Sequence, residues 1–305
     1  MKSNKLQQRI VAGLFLGMGV LMAGTASADP LVIISSGENT IAGSVTYSQT
    51  GTGTSPAGIY FASGTGTTMD YKLTVDGTVT AQGDGAGILV AGDYFDFTSR
   101  SLSLTSDGVT ASGAFYGIYA DGGSTDPMYP ASATVTIRSD GDNVVSQTGA
   151  QSDDSQYVSL AGISLNNKVD FTMVSENGSN TVESAAGTGL YAGTDHGTSF
   201  GTVTLQAGKD NVITGQGGAG IEAAGTVSYF TFNEDGSMSA ETSYLGPDIL
   251  LEAGNDNTVH GSTDGILLNG GSSLTLQAGG TNTVTGDDTG ATNQNHGTLT
   301  LYGSS

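Results

Sequence analysis

The chain contains no cysteine and no tryptophan, and only eight of its 305 residues are lysine or arginine. Without cysteine there is no disulfide framework, so the fold must close by packing and backbone pairing alone. The same absence suits a chain that passes an export pore unfolded. Against the eight bases stand 29 acids. Beyond residue 28 the bases are Lys72, Arg100, Arg138, Lys168 and Lys209, so that segment sets 29 acids against five bases, a net charge of −24. Such a charge repels nucleic acid, anionic lipid and polyanionic substrates. After residue 28 no apolar run is long enough to cross a bilayer as a helix. G-D-S-G, a nucleophile motif of serine proteases, does not occur.

What is present begins with a leader. MKSNKLQQR is basic, IVAGLFLGMGVLMAG is apolar, and Ala26-Ser27-Ala28 has the small-x-small form of a cleavage site. This three-part pattern predicts a secretory signal peptide over 1–28 and a mature domain over 29–305.

The remainder repeats. A Gly-apolar pair recurs as Gly58-Ile59, Gly87-Ile88, Gly117-Ile118, Gly162-Ile163, Gly189-Leu190, Gly220-Ile221 and Gly265-Ile266, with a weaker copy at Gly290-Ala291. The steps are 29, 30, 45, 27, 31, 45 and 25 residues. Upstream of it recurs an Asn marker: Asn39-Thr-Ile41, Asn143-Val-Val145, Asn180-Thr-Val182, Asn211-Val-Ile213, Asn257-Thr-Val259 and Asn282-Thr-Val284, with Asp76 and Asp107 as its expected stand-ins. Further upstream lie alternating, β-branched stretches such as YKLTV, ATVTI and TVTL, the period-2 mark of strands with one buried face. Three short strands per 25 to 31 residues, with no helical period, predict an all-β fold: a right-handed parallel β-helix of about eight coils. At about 4.8 Å per coil the rod would be about 40 Å long.

In LQAGKDNVITGQGGAGI (205–221) the expectation is Leu205, Val212 and Ile221 inward, Asn211 at a corner, and glycines at bends. Asn suits a corner because it tolerates left-handed backbone, and stacked Asn side chains can form a hydrogen-bonded ladder along the axis. The glycines beside Lys209 and Asp210 match neither phosphate-loop nor dinucleotide spacing.

The two 45-residue steps carry insertions. Residues 227–244, VSYFTFNEDGSMSAETSY, alternate on both sides of NEDG and predict a β-hairpin protruding from the rod within about 226–246. The other insertion, within about 122–157, spans Gly122 to Pro130 and Thr148 to Tyr157 and reads as irregular loop. GTLTLYGSS at the end matches the start of a further coil, which predicts a domain truncated at its C-terminus.

The leader, the lack of cysteine and the Gly/Asn/Thr-rich coils of LQAGxxNxVxG…GI type together resemble passenger domains of Gram-negative autotransporters, over about 31–305. The resemblance implies a surface-displayed β-helix used in adhesion or host contact, and a C-terminal translocating β-barrel that this sequence does not contain.

Four groups of residues are candidates for chemistry or binding. SDGDN, AGKDN and AGNDN place acids before the marker Asn, which could serve calcium; Asp and Asn also simply favour turns, and G-G-x-G-x-D is absent. Glycoside hydrolysis needs two carboxyl groups about 5 to 9 Å apart. Asp153-Asp154 and Asp287-Asp288 are neighbours, which point to opposite faces of a strand, while Asp84, Glu222 and Asp264 recur near one strand without being stacked by the sequence itself. His196, His260 and His296 are single and lack zinc spacing. Aromatics cluster at Tyr94, Phe95 and Phe97 and at Tyr229, Phe230 and Phe232, and these six are the expected partner-binding residues. The expectation is thus a non-enzymatic, exported rod with a structural or adhesive role, at the cell surface or outside the cell, or periplasmic if no barrel follows. It needs no cofactor, and its partner would be a host-cell protein, a matrix protein or a surface glycan. The alternatives are a carbohydrate-active β-helix enzyme, of polysaccharide lyase or glycoside hydrolase type, and an exported protein without a specific ligand.

Overall fold

In a computed structural model of the chain, residues 26–303 are described except 52–55, 62–67, 92–98, 124–130, 151–159, 194–200, 226, 233–236, 244 and 295. Among the described residues there is no helix, and none long and apolar enough to cross a membrane. The strands form three parallel sheets of nine strands each. Each coil contributes one strand to each sheet in turn, as Asn180–Ser184, Thr188–Gly193 and Thr202–Ala207 do in the sixth. The protein is therefore a right-handed parallel β-helix of nine coils, one more than the Gly-apolar marker counts. The first coil escapes that count because Leu31, opposite Ile59, follows a proline and not a glycine. Its strand Ala26–Ala28 pairs with Val45–Tyr47, so the segment expected to hold the cleavage site supplies the first strand of the first sheet.

The interior is built of stacked columns. In the third sheet Leu73, Leu104, Ile137, Met173, Leu205, Leu251 and Leu276 lie in register and are fully buried. In the second, Ile59, Ile88, Ile118, Ile163, Leu190, Ile221 and Ile266 do the same. Burying one such side chain is worth about 1.5–3 kcal/mol. Because each coil touches chiefly its two neighbours, the core is a line and not a ball.

Parity along the first sheet differs from the expectation. Asn211 points inward and is fully buried, so Val212 faces out and Ile213 takes the inward place. The marker Asn residues therefore begin strands and line the interior; they do not turn corners in left-handed backbone. Among the described residues only Asn167 and His296 are non-glycine positions with positive φ. The ladder expected of stacked Asn is present. Asn143 Nδ2 donates to Asn180 Oδ1 at 2.9 Å, Asn180 to Asn211 at 3.0 Å, Asn211 to Asn257 at 2.9 Å and Asn257 to Asn282 at 2.8 Å. Each Nδ2 also donates to a main-chain carbonyl in the third-sheet strand of its own coil, as Asn180 does to Gln206 at 2.9 Å. Ser139 Oγ donates into the ladder's start at Asn143 Oδ1, 2.7 Å away.

Earlier coils fill the same column with Val45, Val79 and Val109. Asp76 and Asp107 thus do not stand in for Asn; they sit just before those valines, and Asp107 N donates to Gly77 O in the turn. Asn39 belongs elsewhere altogether, in the third-sheet strand Gly37–Ala42 opposite Leu73. The Asn-x-β-branched spelling is common to both sheets, which is why the sequence pattern joined them.

The hairpin is as expected. Val227–Phe232 and Met238–Ser243 pair antiparallel as a two-stranded sheet of their own, inserted between the second-sheet and third-sheet strands of the seventh coil. Between the two 122–157 loop segments lie regular solenoid strands, Ala133–Ser139 and Asn143–Gln147.

Candidate functional site: the outer face of the second sheet

The second sheet carries an apolar and aromatic cluster on its outside. The cause is the recurrent glycine. A Cβ at Gly87 would lie 2.5 Å from Ser112 N and 2.7 Å from Gly117 O; at Gly117 it would lie 2.8 Å from Gly162 O and from Ser146 N. These glycines are required by close approach of the neighbouring backbone, not by positive φ. The residue before each glycine then lies outside the interior. Ala57, Ala86, Tyr116 and Ala161 join Leu89 there in a second apolar cluster, flanked by half-buried Tyr60, Phe115, Tyr119 and Tyr191.

One outward column runs Tyr60, Leu89, Tyr119, Ser164, Tyr191, Glu222, Leu267 and Thr292, one residue per coil in register. Aromatic rings occupy its second, fourth and sixth coils. Tyr119 stacks in a tilted pair with Tyr116, ring centroids 4.7 Å apart. Its hydroxyl reaches along the strand to Asp121 Oδ2 at 3.3 Å. Burial, with the carboxylate of Asp121 and the neighbouring Tyr116, pushes the Tyr119 phenol well above its ordinary range, so it stays protonated. Asp121 in turn accepts from Asn167 Nδ2 and Gly123 N, each at 2.7 Å, which fixes the corner beyond the strand. Tyr191 reclines the same way: a Cβ at residue 193, two positions on, would meet its hydroxyl at 2.4 Å.

Past Tyr191 the face becomes acidic. Burial raises the Glu222 carboxyl above the usual range, a shift opposed by Thr188 and reinforced by the charge of Asp264 in the next coil. Thr188 Oγ1 lies 3.4 Å from Glu222 Oε2, and Thr292 Oγ1 donates to Asp264 Oδ1 at 2.7 Å. The fold thus brings Glu222 and Asp264 into one another's field and leaves Asp84 in the third coil, five coils from Asp264, where its Oδ2 accepts from Gly51 N at 2.8 Å.

The other candidates fall as follows. Tyr229, Phe230 and Phe232 lie on the first hairpin strand, opposite Glu241, Ala240 and Met238. Tyr94, Phe95 and Phe97 lie outside the described residues, as do His196 and Asp153-Asp154. His260 faces out from the first sheet, its Nδ1 3.0 Å from Thr285 Oγ1. The acids considered for calcium have structural partners: Asp142 Oδ1 accepts from Ser179 N at 2.8 Å, Asp210 Oδ1 from Asp256 N at 3.1 Å, and Asp256 Oδ1 from Thr281 N at 2.6 Å. Each carboxylate staples one coil to the next, and the Thr281 bonds hold the Asp256 carboxyl below its ordinary range. Among the described residues no group of three or more His, Cys, Asp or Glu could hold a metal ion.

The tyrosine column was not singled out from the sequence. Its signal is nonetheless there, as Gly58-Ile-Tyr60, Gly117-Ile-Tyr119 and Gly189-Leu-Tyr191; only the register shows that they share one line. No family model, no curated protein and no solved structure matches the chain.

Proposed function

We propose that this protein is an exported, surface-exposed rod with a structural and adhesive role, in the manner of an autotransporter passenger. The observation that supports this is where the rod is interrupted. Between the second and third sheets the connections are long in five coils: from Phe61 to Met69, Val90 to Arg100, Asp121 to Ala133, Gly193 to Thr202 and Ala224 to Asp248. Both aromatic groups expected to bind partners, Tyr94, Phe95 and Phe97 and the hairpin's Tyr229, Phe230 and Phe232, fall within these connections. The third-to-first corner stays short throughout, as the stacked ladder requires. One further long connection, from Gln147 to Ala161 in the fifth coil, lies between the first and second sheets. A scaffold that gathers most of its long connections along one edge is suited to holding contact segments in a line, with affinity from many weak contacts. The partner would be a host-cell protein, a matrix protein or a surface glycan.

The test replaces residues 226–245 with a short glycine linker and compares binding to cultured cells and to matrix coatings. The expected result is an unchanged strand-type circular dichroism spectrum with cell or matrix binding reduced about tenfold. Undiminished binding would count against the hairpin edge as the contact element. The Glu222–Asp264 pair supports a second reading, hydrolysis of a neutral glycan, with Glu222, whose carboxyl burial raises above the usual range, as the acid. Release of reducing ends from a neutral polysaccharide, lost in Glu222→Gln, would favour it over the adhesive rod.

A further inference from the structure

We propose that the outward column Tyr60, Tyr119 and Tyr191 is a binding track for an extended, neutral, β-1,4-linked glycan lying along the rod axis. This deepens the adhesive reading and rests on it.

Spacing is the first support. The three tyrosines are in exact alternation with Leu89 and Ser164, one ring every second coil. Coils repeat at about 4.8 Å, so the rings recur at about 10 Å. In an extended β-1,4-linked chain alternate sugars present the same face, and the disaccharide repeat has this same length. Successive rings therefore meet equivalent sugar faces without bending the ligand.

Ring posture is the second. Tyr119 reclines along its strand with its hydroxyl at Asp121, and Tyr191 reclines the same way over Gly193. Any side chain at residue 193 would displace the Tyr191 ring. Rings held against the strand by a carboxylate in one coil and by the bare backbone of a glycine in another are pre-positioned, which limits the entropy lost on binding. Tyr side chains stack on apolar sugar faces while offering a polar tip.

Charge is the third. Asp121, Glu222 and Asp264 flank the track, and no lysine or arginine lies in the outward column. Anionic polysaccharides are repelled there as they are by the molecule as a whole, whereas the hydroxyls of a neutral sugar find acceptors in the carboxylates.

The experiment is calorimetric titration of the full chain with cello- and chito-oligosaccharides of two to six units, with polygalacturonate and a lysine-rich peptide as contrasts. Affinity is expected to rise with length up to five or six units, the span of three rings, and then to level off. Tyr119→Ala and Tyr191→Ala should each weaken hexasaccharide binding about tenfold, the worth of one stacked aromatic. Tyr191→Phe should keep it, which separates the ring from the hydroxyl and guards against misfolding. The hairpin deletion should leave oligosaccharide affinity unchanged. No binding of either neutral series, length-independent binding, or binding of polygalacturonate or the peptide alone would overturn the track. Loss of cell adhesion in the hairpin deletion without any glycan binding would overturn the track and leave the adhesive reading standing.

Discussion

At the scale of single residues, the buried asparagines carry the most consequence. Asn143, Asn180, Asn211 and Asn257 are fully buried amides in an otherwise aliphatic interior. Such groups are tolerable only when their donors and acceptors are all met. Valine fits the same column, as Val109 shows one coil before Asn143, so Asn180→Val should fold. It would leave Asn211 Oδ1 without the Asn180 donor, and Asn143 Nδ2 without one acceptor. We expect a loss of about 2–4 kcal/mol, read from urea denaturation. Replacing all five ladder asparagines by valine should cost less per site than the single change, because no ladder amide is then stranded and only Ser139 and the main-chain carbonyls lose a partner. Glu222 offers a second test. Its folded pKa is raised, so between the ordinary carboxylate range and the raised value the folded state holds more protons than the unfolded state. Stability contributed by the neutral form is present at low pH and is lost as pH rises through that window. Glu222→Gln should remove this fall in melting temperature. A pH profile identical to that of the unaltered protein would contradict the shift.

At the scale of strands and turns, the recurrent glycine decides the shape of the corner. Gly117→Ala would place a methyl 2.4 Å from Val145 Cγ1 and 2.8 Å from two backbone atoms. The backbone atoms cannot turn away as a flexible side chain could. We expect a cost of about 2–3 kcal/mol, near the upper end for overpacking, whereas Thr181→Ala on the outer face of the first sheet should change stability by about 0.5 kcal/mol or less. Parallel urea melts distinguish the two. Much of this level was legible in the sequence. The alternation in ATVTI and TVTL gave strands, and the Gly-apolar spacing gave the coil. The side on which Asn211 falls was not legible, because alternation fixes which residues share a face but not which face is inside. An Asn would ordinarily be assigned outward; here its neighbours in adjacent coils supply the partners that permit burial, and those partners lie 31 and 46 residues away. The tyrosine column escaped for the same reason: three Gly-x-Tyr stretches, whose tyrosines are 59 and 72 positions apart, become a line only once the chain between them is folded back.

At the scale of the whole molecule, the chain is a line of coils under its own electrostatic repulsion. Exposed ion pairs such as Lys72–Glu38 at 3.3 Å and Arg138–Glu176 at 2.9 Å offset little of the acidic excess. Raising ionic strength from ~10 mM to ~150 mM shortens the screening length from about 30 Å to about 8 Å. The melting temperature should rise across that range; a fall would mean that attractive pairs outweigh the repulsion. The asparagine ladder adds a property that neither the charge count nor the packing describes. Asn143, Asn180, Asn211 and Asn257 each point an N–H toward the following coil, so their four dipoles add head to tail over about 15 Å. The rod is thereby electrically polarised along its axis, positive toward its C-terminal coils, from a wire of neutral groups sealed inside it.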